Sequence, residues 1–400
     1  IAGIKCSQCF WVLGIMSALK SNAVVVLSLV VVRLQSALYS IISDCDETYN
    51  YWEPLHYLLK GKGFQTWEYS PEFALRSYSY LWLHGLPAKV LQLMTDNGVL
   101  IFYFVRCLLA VTCALLEYRL YRILGRKCGG GVASLWLLFQ LTSAGMFISS
   151  AALLPSSFSM YITLATMAAW LNEDTRTAIA VTAFSGLIAL LMDQLFSHMR
   201  RILGAGRSSF PNRLMGFAVL AVALCLGVSR MLATSMYYRA PMSVLSDLPS
   251  TNEELSVCYG KEWYRFPGNF FLPPNYRARF VESSFTGMLP AYYDETQNGT
   301  QIVHDYFNDQ NMGHPHMLFE LSRCDYLVDF DKGAFYDELS AEPNYSVDRK
   351  TWSIASSVEF VQADESASFA RAYYVPLVSY RYLVWGRYNL LRRNKSKPIS

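Results

Sequence analysis

The sequence predicts a mainly α, multi-span membrane protein with a C-terminal α/β domain outside the bilayer, and three observations predict it. Hydrophobic residues make up 53% of the 400 and charged residues only 16%, and the apolar ones gather in runs of about twenty. Such runs cross a bilayer rather than fill a soluble core. One run ends in a basic cluster, as a cytoplasmic helix end does. Beyond residue 240 the chain turns polar and aromatic, with short strand-like pieces between turn signals. The net charge of +3 is small and by itself says nothing about nucleic acid; with no basic stripe bearing interleaved aromatics, no nucleic-acid partner is expected.

Residues 1–21 are expected to be an N-terminal cytoplasmic segment and 22–239 the membrane part. The first span, 22–42, carries Arg33, which must snorkel or face protein. No small-residue cleavage site follows, so it is expected to stay as an anchor. Residues 81–95, broken by Gly85 and Pro87, fit an interfacial helix. The next span, 99–118, runs into Arg119, Arg122, Arg126 and Lys127; these belong in the cytoplasm, which puts the loop 43–98 on the opposite, luminal side. Gly129–Gly131 lacks the Lys-Ser/Thr ending of a phosphate loop and reads as a turn.

Further spans are expected at 132–154, 158–171, 177–196 and 214–235. A single crossing at 177–196 would strand Arg200, Arg201, Arg207 and Arg213 in the lumen and send residues 240–400 to the cytoplasm. That conflict vanishes if an odd number of crossings is missing between about residues 186 and 197. Residues 240–400 then form a luminal α/β domain large enough to bury its own core. Its strand-like pieces are ELSVCYG, RARFVES and DYLVDFD, with helices expected between them, and it carries glycosylation triplets at Asn298, Asn344 and Asn394. The nine cysteines are too dispersed for a disulfide scaffold, and Cys6 with Cys9 lacks a second pair for zinc. Cys45, Cys258 and Cys324 fall on the oxidising side; a Cys258–Cys324 bond and free buried thiols are the two alternatives. His314 and His316 read as an exposed turn.

The stretch Ser43–Tyr80 concentrates the chemistry. Asp44, Asp46 and Glu47 arrive directly after an apolar run, followed by Tyr49, Tyr51, Trp52, Tyr57, Phe64 and Trp67. Carboxylates at a bilayer edge are costly unless hydrated, paired or used. Aromatic faces suit sugar rings and carboxylates suit their hydroxyls, so the composition points to carbohydrate chemistry at a membrane surface. Two other readings stand beside this one. Asp44 and Glu47 could form a capping box for a helix in which Pro54 sits awkwardly, and Asp44 with Asp46 could be a D-x-D metal site for a nucleotide sugar.

The runs DCDETYNYWEPLHYLL and GKGFQTWEYSPEFALRSY, then LLPSSFSMY (Leu153–Tyr161), VCYGKEWYRFPGNFFLP (Val257–Pro273) and CDYLVD (Cys324–Asp329), occur in that order. They resemble glycosyltransferase family 22, in its dolichyl-phosphate-mannose-dependent α-1,2-mannosyltransferase branch of asparagine-linked glycan assembly. The resemblance implies a multi-span GT-C-like fold in the endoplasmic reticulum membrane. It implies dolichyl phosphate mannose as donor, a dolichyl-diphosphate-linked oligosaccharide as acceptor, inversion to an α-1,2 product in probably two additions, and membrane lipids as surroundings.

No cofactor and no essential metal are implied, which speaks against the D-x-D reading. Asp46 matches the first residue of the family's acidic pair and takes the role of base; Glu47 and Asp44 are its nearest competitors. On the same reading His56, Lys60 and Arg76 are phosphate or glycan partners. Trp52, Trp67 and Tyr69 are sugar platforms, with interface anchoring as the alternative. Trp263 and Arg265 shape the acceptor side or pack within the luminal domain.

The family's His-Lys-Glu-Glu-Arg-Phe stretch near the donor phosphate has no counterpart in this chain. The sequence therefore reads as a shortened form, and a catalytically inactive relative acting as a luminal binding or assembly protein is the alternative function. A transporter would need acids in mid-span, where only Asp193 qualifies.

Overall fold

A computed structural model of the chain describes residues 21–190, 213–296, 298–333 and 343–394. Asp193, Arg200, Arg201 and Arg207, singled out above, lie outside the described residues, as does the N-terminal segment with Cys6 and Cys9. Helix α1 (Asn22–Tyr39) is followed by α2 (Glu53–Lys60), α3 (Tyr78–Gln92) and α4 (Gly98–Lys127). Then come α5 (Gly130–Thr142), α6 (Ala144–Ser149), α7 (Pro155–Leu171), α8 (Thr175–Leu190) and α9 (Arg213–Tyr237).

Among the described residues, α1 and α4 are long and apolar enough to cross a membrane. A third candidate is the pair Ala221–Tyr237 and Ala240–Asp247, bent by 45°. The span expected at 132–154 is instead two helices. The Ser143 hydroxyl accepts the Met146 N–H and starts α6, which leaves α5 with 13 residues, about 20 Å against a hydrocarbon core of about 30 Å. Pro155 occupies the first turn of α7, where its missing N–H has no helical partner to lose.

The chain divides into two compact units. The first holds α1 and the described residues of 106–190 and 213–231. There Arg33 is fully buried, its Nε and Nη2 donating to the two Glu117 oxygens at 2.9 and 2.6 Å and Nη2 also to the Gln140 carbonyl at 2.8 Å. A charge this deep is held by a paired carboxylate, and removing either partner costs about 3–5 kcal/mol. Arg106, also buried, donates to the Ser40 hydroxyl and carbonyl at 2.6 and 3.0 Å. Val25, Leu29, Ala114 and Leu137 form an apolar cluster in this unit.

The second unit contains the described residues of 41–105 and 232–394. Strands β1 (Phe64–Gln65), β2 (Leu255–Tyr259), β3 (Tyr276–Phe280), β4 (Ala291–Tyr292), β5 (Tyr326–Asp331), β6 (Trp352–Val361) and β7 (Trp385–Arg393) build two sheets. Five strands run in the order β3-β2-β5-β7-β6. The first three are parallel, and β7 is antiparallel to both of its neighbours. The second sheet pairs β1 with β4, Phe64 opposite Tyr292.

Cys258 on β2 is bonded to Cys324 just before β5, inside a cluster with Leu327, Trp352 and Leu391. The three predicted strands are present as β2, β3 and β5. The helices expected between them are not: among the described residues after 239, only Ala240–Ser243 and Ser368–Ala372 are α-helical, and 3₁₀ turns join the strands. Abundant Pro, Asn and Gly in these links favour turns over helix. The loop expected to belong to the membrane part is instead built into the same unit as the C-terminal region, through β1–β4 and aromatic contacts such as Tyr57 on Tyr293 at 4.1 Å.

Candidate active site

Asp44 is extended, and its Oδ1 accepts the Asp46 N–H at 3.0 Å, capping the turn Cys45–Glu47. Only half of the expected capping box forms. Glu47 is buried and accepts from the Trp52 indole at 3.0 Å. The chain then widens into a π turn, Thr48–Trp52, before α2 begins at Glu53. Pro54 explains the widening: a proline clashes with the carbonyl four residues back and cannot bond to it. That carbonyl belongs to Asn50, and it accepts the Tyr69 hydroxyl at 2.9 Å instead. Single π turns of this kind recur at functional sites.

These two consecutive turns place Asp46, exposed, and Asn50, buried, on one cleft of about 300 Å³ together with Thr66, Trp67, Glu68, Trp263, Phe285 and Asn311. Trp263 packs on Phe285 at 4.4 Å and stacks on Tyr49 at 6.2 Å, while the Tyr49 hydroxyl donates to the Trp263 carbonyl at 2.7 Å. The Asp46 carboxyl is held above its usual range by partial burial, then by the Asp44 and Glu68 carboxylates, against the opposing pull of Arg76. That shift makes it a stronger base. Arg76 grips Glu68 with Nε at 2.8 Å and Nη2 at 3.0 Å, and also donates to the Tyr51 hydroxyl.

The other predicted residues separate. Asp44 and Arg265 line a second cleft of about 310 Å³ with Ile41, Tyr238 and Met242; Cys45 lies on both. Arg265 is paired with Glu262 at 2.7 Å. His56 and Lys60 line a third cleft, of about 670 Å³. There Lys60 is paired with Asp96 at 2.9 Å. The His56 ring lies 2.5 Å from the Lys62 carbonyl, and burial pushes its pKa down to about 4; it is neutral at physiological pH and offers no charge to a phosphate.

Two expected sugar platforms are core residues. Trp52 is fully buried against Phe102 and Phe270, and Tyr69 is buried under the π turn. Neither ring faces a cleft, because the apolar packing of the unit consumes them. Trp67 and Trp263 do face the cleft of Asp46. Ligand-type atoms of Asp44, Cys45 and Asp46 converge within 4.8 Å, yet one Asp44 oxygen is the cap acceptor and both acids are exposed.

Residues 24–191 match the model of the Alg9-like mannosyltransferase family. The chain is 32% identical to alpha-1,2-mannosyltransferase Alg9 of Drosophila melanogaster, across 91% of this chain and 86% of the fly protein. It belongs to the Alg9-like mannosyltransferase family. The mouse Alg9 enzyme is 30% identical across 92% of this chain and 88% of its own length, and the Schizosaccharomyces pombe one 26% across 93% and 94%. No solved structure matches. The chain is thus a mannosyltransferase by family.

It is also a shortened one. The fly alignment runs over 540 positions against 400 residues in the chain, so at least 140 positions of the family's length fall in gaps here. The family match ends at residue 191, within the stretch of about 186–197 from which crossings are expected to be missing.

Two features of this Alg9-like chain escaped the sequence reading. Glu53 is fully buried and accepts the Phe64 N–H at 2.9 Å, and the Asn269 N–H and side-chain amide at 2.6 Å each. It thereby ties the acidic loop to the Val257–Pro273 stretch. Asn50 shares the cleft with Asp46, and the four-residue interval between them was the available signal.

Proposed function

We propose that the chain transfers mannose from dolichyl phosphate mannose to the dolichyl-diphosphate-linked oligosaccharide, making α-1,2 linkages, in two additions, within the endoplasmic reticulum membrane. The reading places the chain as a multi-pass GT-C-type protein, with the loop 43–98 and residues 240–400 in the lumen. The observation that carries it is the cleft in which Asp46, a carboxylate of raised basicity, stands between two tryptophans. Asp46 takes the proton from an acceptor hydroxyl as that oxygen bonds to mannose C1. The bond from C1 to the phosphate oxygen breaks, dolichyl phosphate leaves with the electron pair, and the β-linked donor inverts to an α product.

One carboxylate suffices for the base and for partial stabilisation of the oxocarbenium-like centre. The phosphate is already a competent leaving group, so no strong acid is needed; Arg265, beside Asp44 in the second cleft, is the cation assigned to that charge. Neither metal nor cofactor enters the scheme.

The test is mannose transfer from the lipid-linked donor by the full chain in membranes. Asp46→Asn is expected to lower the rate by about 10²–10⁴ and Asp44→Asn by much less. A chelator is expected to leave transfer unchanged; loss of activity on chelation, restored by a divalent ion, would support the D-x-D reading of Asp44 and Asp46. The gap of at least 140 positions favours one second reading, a luminal binding or assembly protein. Absence of transfer, with retained binding of the lipid-linked oligosaccharide, selects it.

A further inference from the structure

Asn50 is held in place by the protein, yet nothing among the described residues uses its amide donor. Its side chain is 4% exposed, its Oδ1 accepts the Thr66 hydroxyl at 2.7 Å and its carbonyl accepts the Tyr69 hydroxyl at 2.9 Å. The orientation of the amide is therefore fixed, and Nδ2 has no protein partner among the described residues. The residue lines the cleft one turn from Asp46, and Nδ2 is not among the fully enclosed unpartnered atoms, so a ligand in the cleft can reach it. We infer that Asn50 is a specificity-determining residue whose Nδ2 donates to a hydroxyl of the acceptor's terminal mannose.

This deepens the transferase reading and rests on it. The acceptor oxygen that attacks C1 must lie within reach of Asp46. A sugar laid against Trp263 or Trp67 presents its ring hydroxyls around that oxygen, and a neutral donor beside the base can fix one of them without competing for the proton. The π turn supplies the geometry, since Pro54 forces it and Tyr69 fastens the same residue from below. The aromatic walls select a pyranose, and Asn50 reads which hydroxyl is present. A site built to hydrogen-bond a hydroxyl rejects the analogue that lacks it far more strongly than an apolar wall rejects a shape.

The experiment titrates α-linked mannobiose and its monodeoxy analogues into the full chain in lipid nanodiscs, for the wild type and Asn50→Asp. The aspartate keeps an oxygen for the Thr66 hydroxyl and replaces the amide donor with a second oxygen, which also brings a carboxylate charge into the cleft. In the wild type one monodeoxy analogue is expected to bind about tenfold more weakly than mannobiose. In Asn50→Asp that difference disappears, while the protein still unfolds cooperatively and still binds a short-chain lipid phosphate mannose.

Persistence of the tenfold discrimination in Asn50→Asp overturns the role given to Asn50 and leaves the transferase reading standing. So does a lowered melting temperature accompanied by weakened binding of both ligands, which marks Asn50 as structural. Failure of the wild type to bind mannobiose at all overturns the acceptor assignment of the cleft, and this inference with it.

Discussion

Glu53 shows how a single buried carboxylate can couple the fold to pH. Burial raises its pKa from 4.5 to about 7, and the three N–H bonds from Asn269 and Phe64 offset only part of that cost. The native state therefore holds a proton between pH 4.5 and 7 that the unfolded chain has released, so the Glu53 contribution to stability falls as pH rises through that window. The full effect is about 3 kcal/mol. His56 and His84 act in the opposite sense: burial pushes both down to about 4, and their contribution rises with pH up to about 6.5. The net curve mixes the two, so the prediction concerns a difference. The stability of the wild type minus that of Glu53→Gln, measured by denaturant unfolding in detergent, should decline by about 3 kcal/mol from pH 4.5 to pH 7. A flat difference would mean that the carboxylate titrates normally.

Asp46 belongs to the same scale, and its raised pKa moves the acid limb of the transfer rate upward. The rate should rise with pH as Asp46 deprotonates, with its midpoint above the usual aspartate value. Glu68→Gln removes one of the carboxylates that raise it and also frees Arg76, which lowers it. Both changes shift the midpoint down, and a limb left in place by Glu68→Gln would separate it from Asp46.

At the scale of elements, the Thr48–Trp52 π turn carries Asn50 and follows directly on the turn that carries Asp46, and its support can be tested directly. Tyr69→Phe removes the hydroxyl bond to the Asn50 carbonyl, whose α-helical donor position is taken by Pro54, and should cost about 1–3 kcal/mol. Faster hydrogen exchange confined to the amides of residues 48–53 would mark the loss as local to the turn; uniform exchange would refute a local role. The long apolar helices and strands β2, β3 and β5 were legible because burial leaves a periodic record within a short window.

The π turn was half legible: Pro54 signalled a disturbance, but its relief comes from Tyr69, which no local pattern names. Trp52 and Trp67 look alike in sequence, and only packing against Phe102 and Phe270 separates a core ring from a cleft ring. The clamp from Glu53 to Asn269, 216 residues away, could not be read locally. Strands β6 and β7 went unread, because in β6 the central residues are mostly exposed and polar and carry no strong alternation.

For the whole molecule, pairing of β1 with β4 has a topological consequence. Phe64 and Tyr292 face each other across a hydrogen-bonded ladder, so both lie on one side of the bilayer. The chain between them crosses it an even number of times. On the proposed topology the basic residues at the end of α4 lie in the cytoplasm, and the loop with Asp46 would face the lumen together with the described residues of 240–394.

Glycosylation can report this, because the three candidate triplets are not equivalent. Asn344 is buried with its amide donating to Asp331 at 2.9 Å, and the Asn394 amide donates to the Arg349 and Lys350 carbonyls at 3.1 and 3.0 Å. A glycan on either nitrogen would break those bonds. Asn298 is exposed, and Gly299 beside it packs on the Tyr57 hydroxyl, within the unit that holds Asp46. Expression in a glycosylating cell should give a mobility shift on peptide N-glycosidase treatment that Asn298→Gln abolishes and that Asn344→Gln and Asn394→Gln retain. Modification confined to Asn298 fixes the side of Asp46 as well, since one compact unit carries both. An unmodified chain would count against the luminal placement on which the proposed transfer depends.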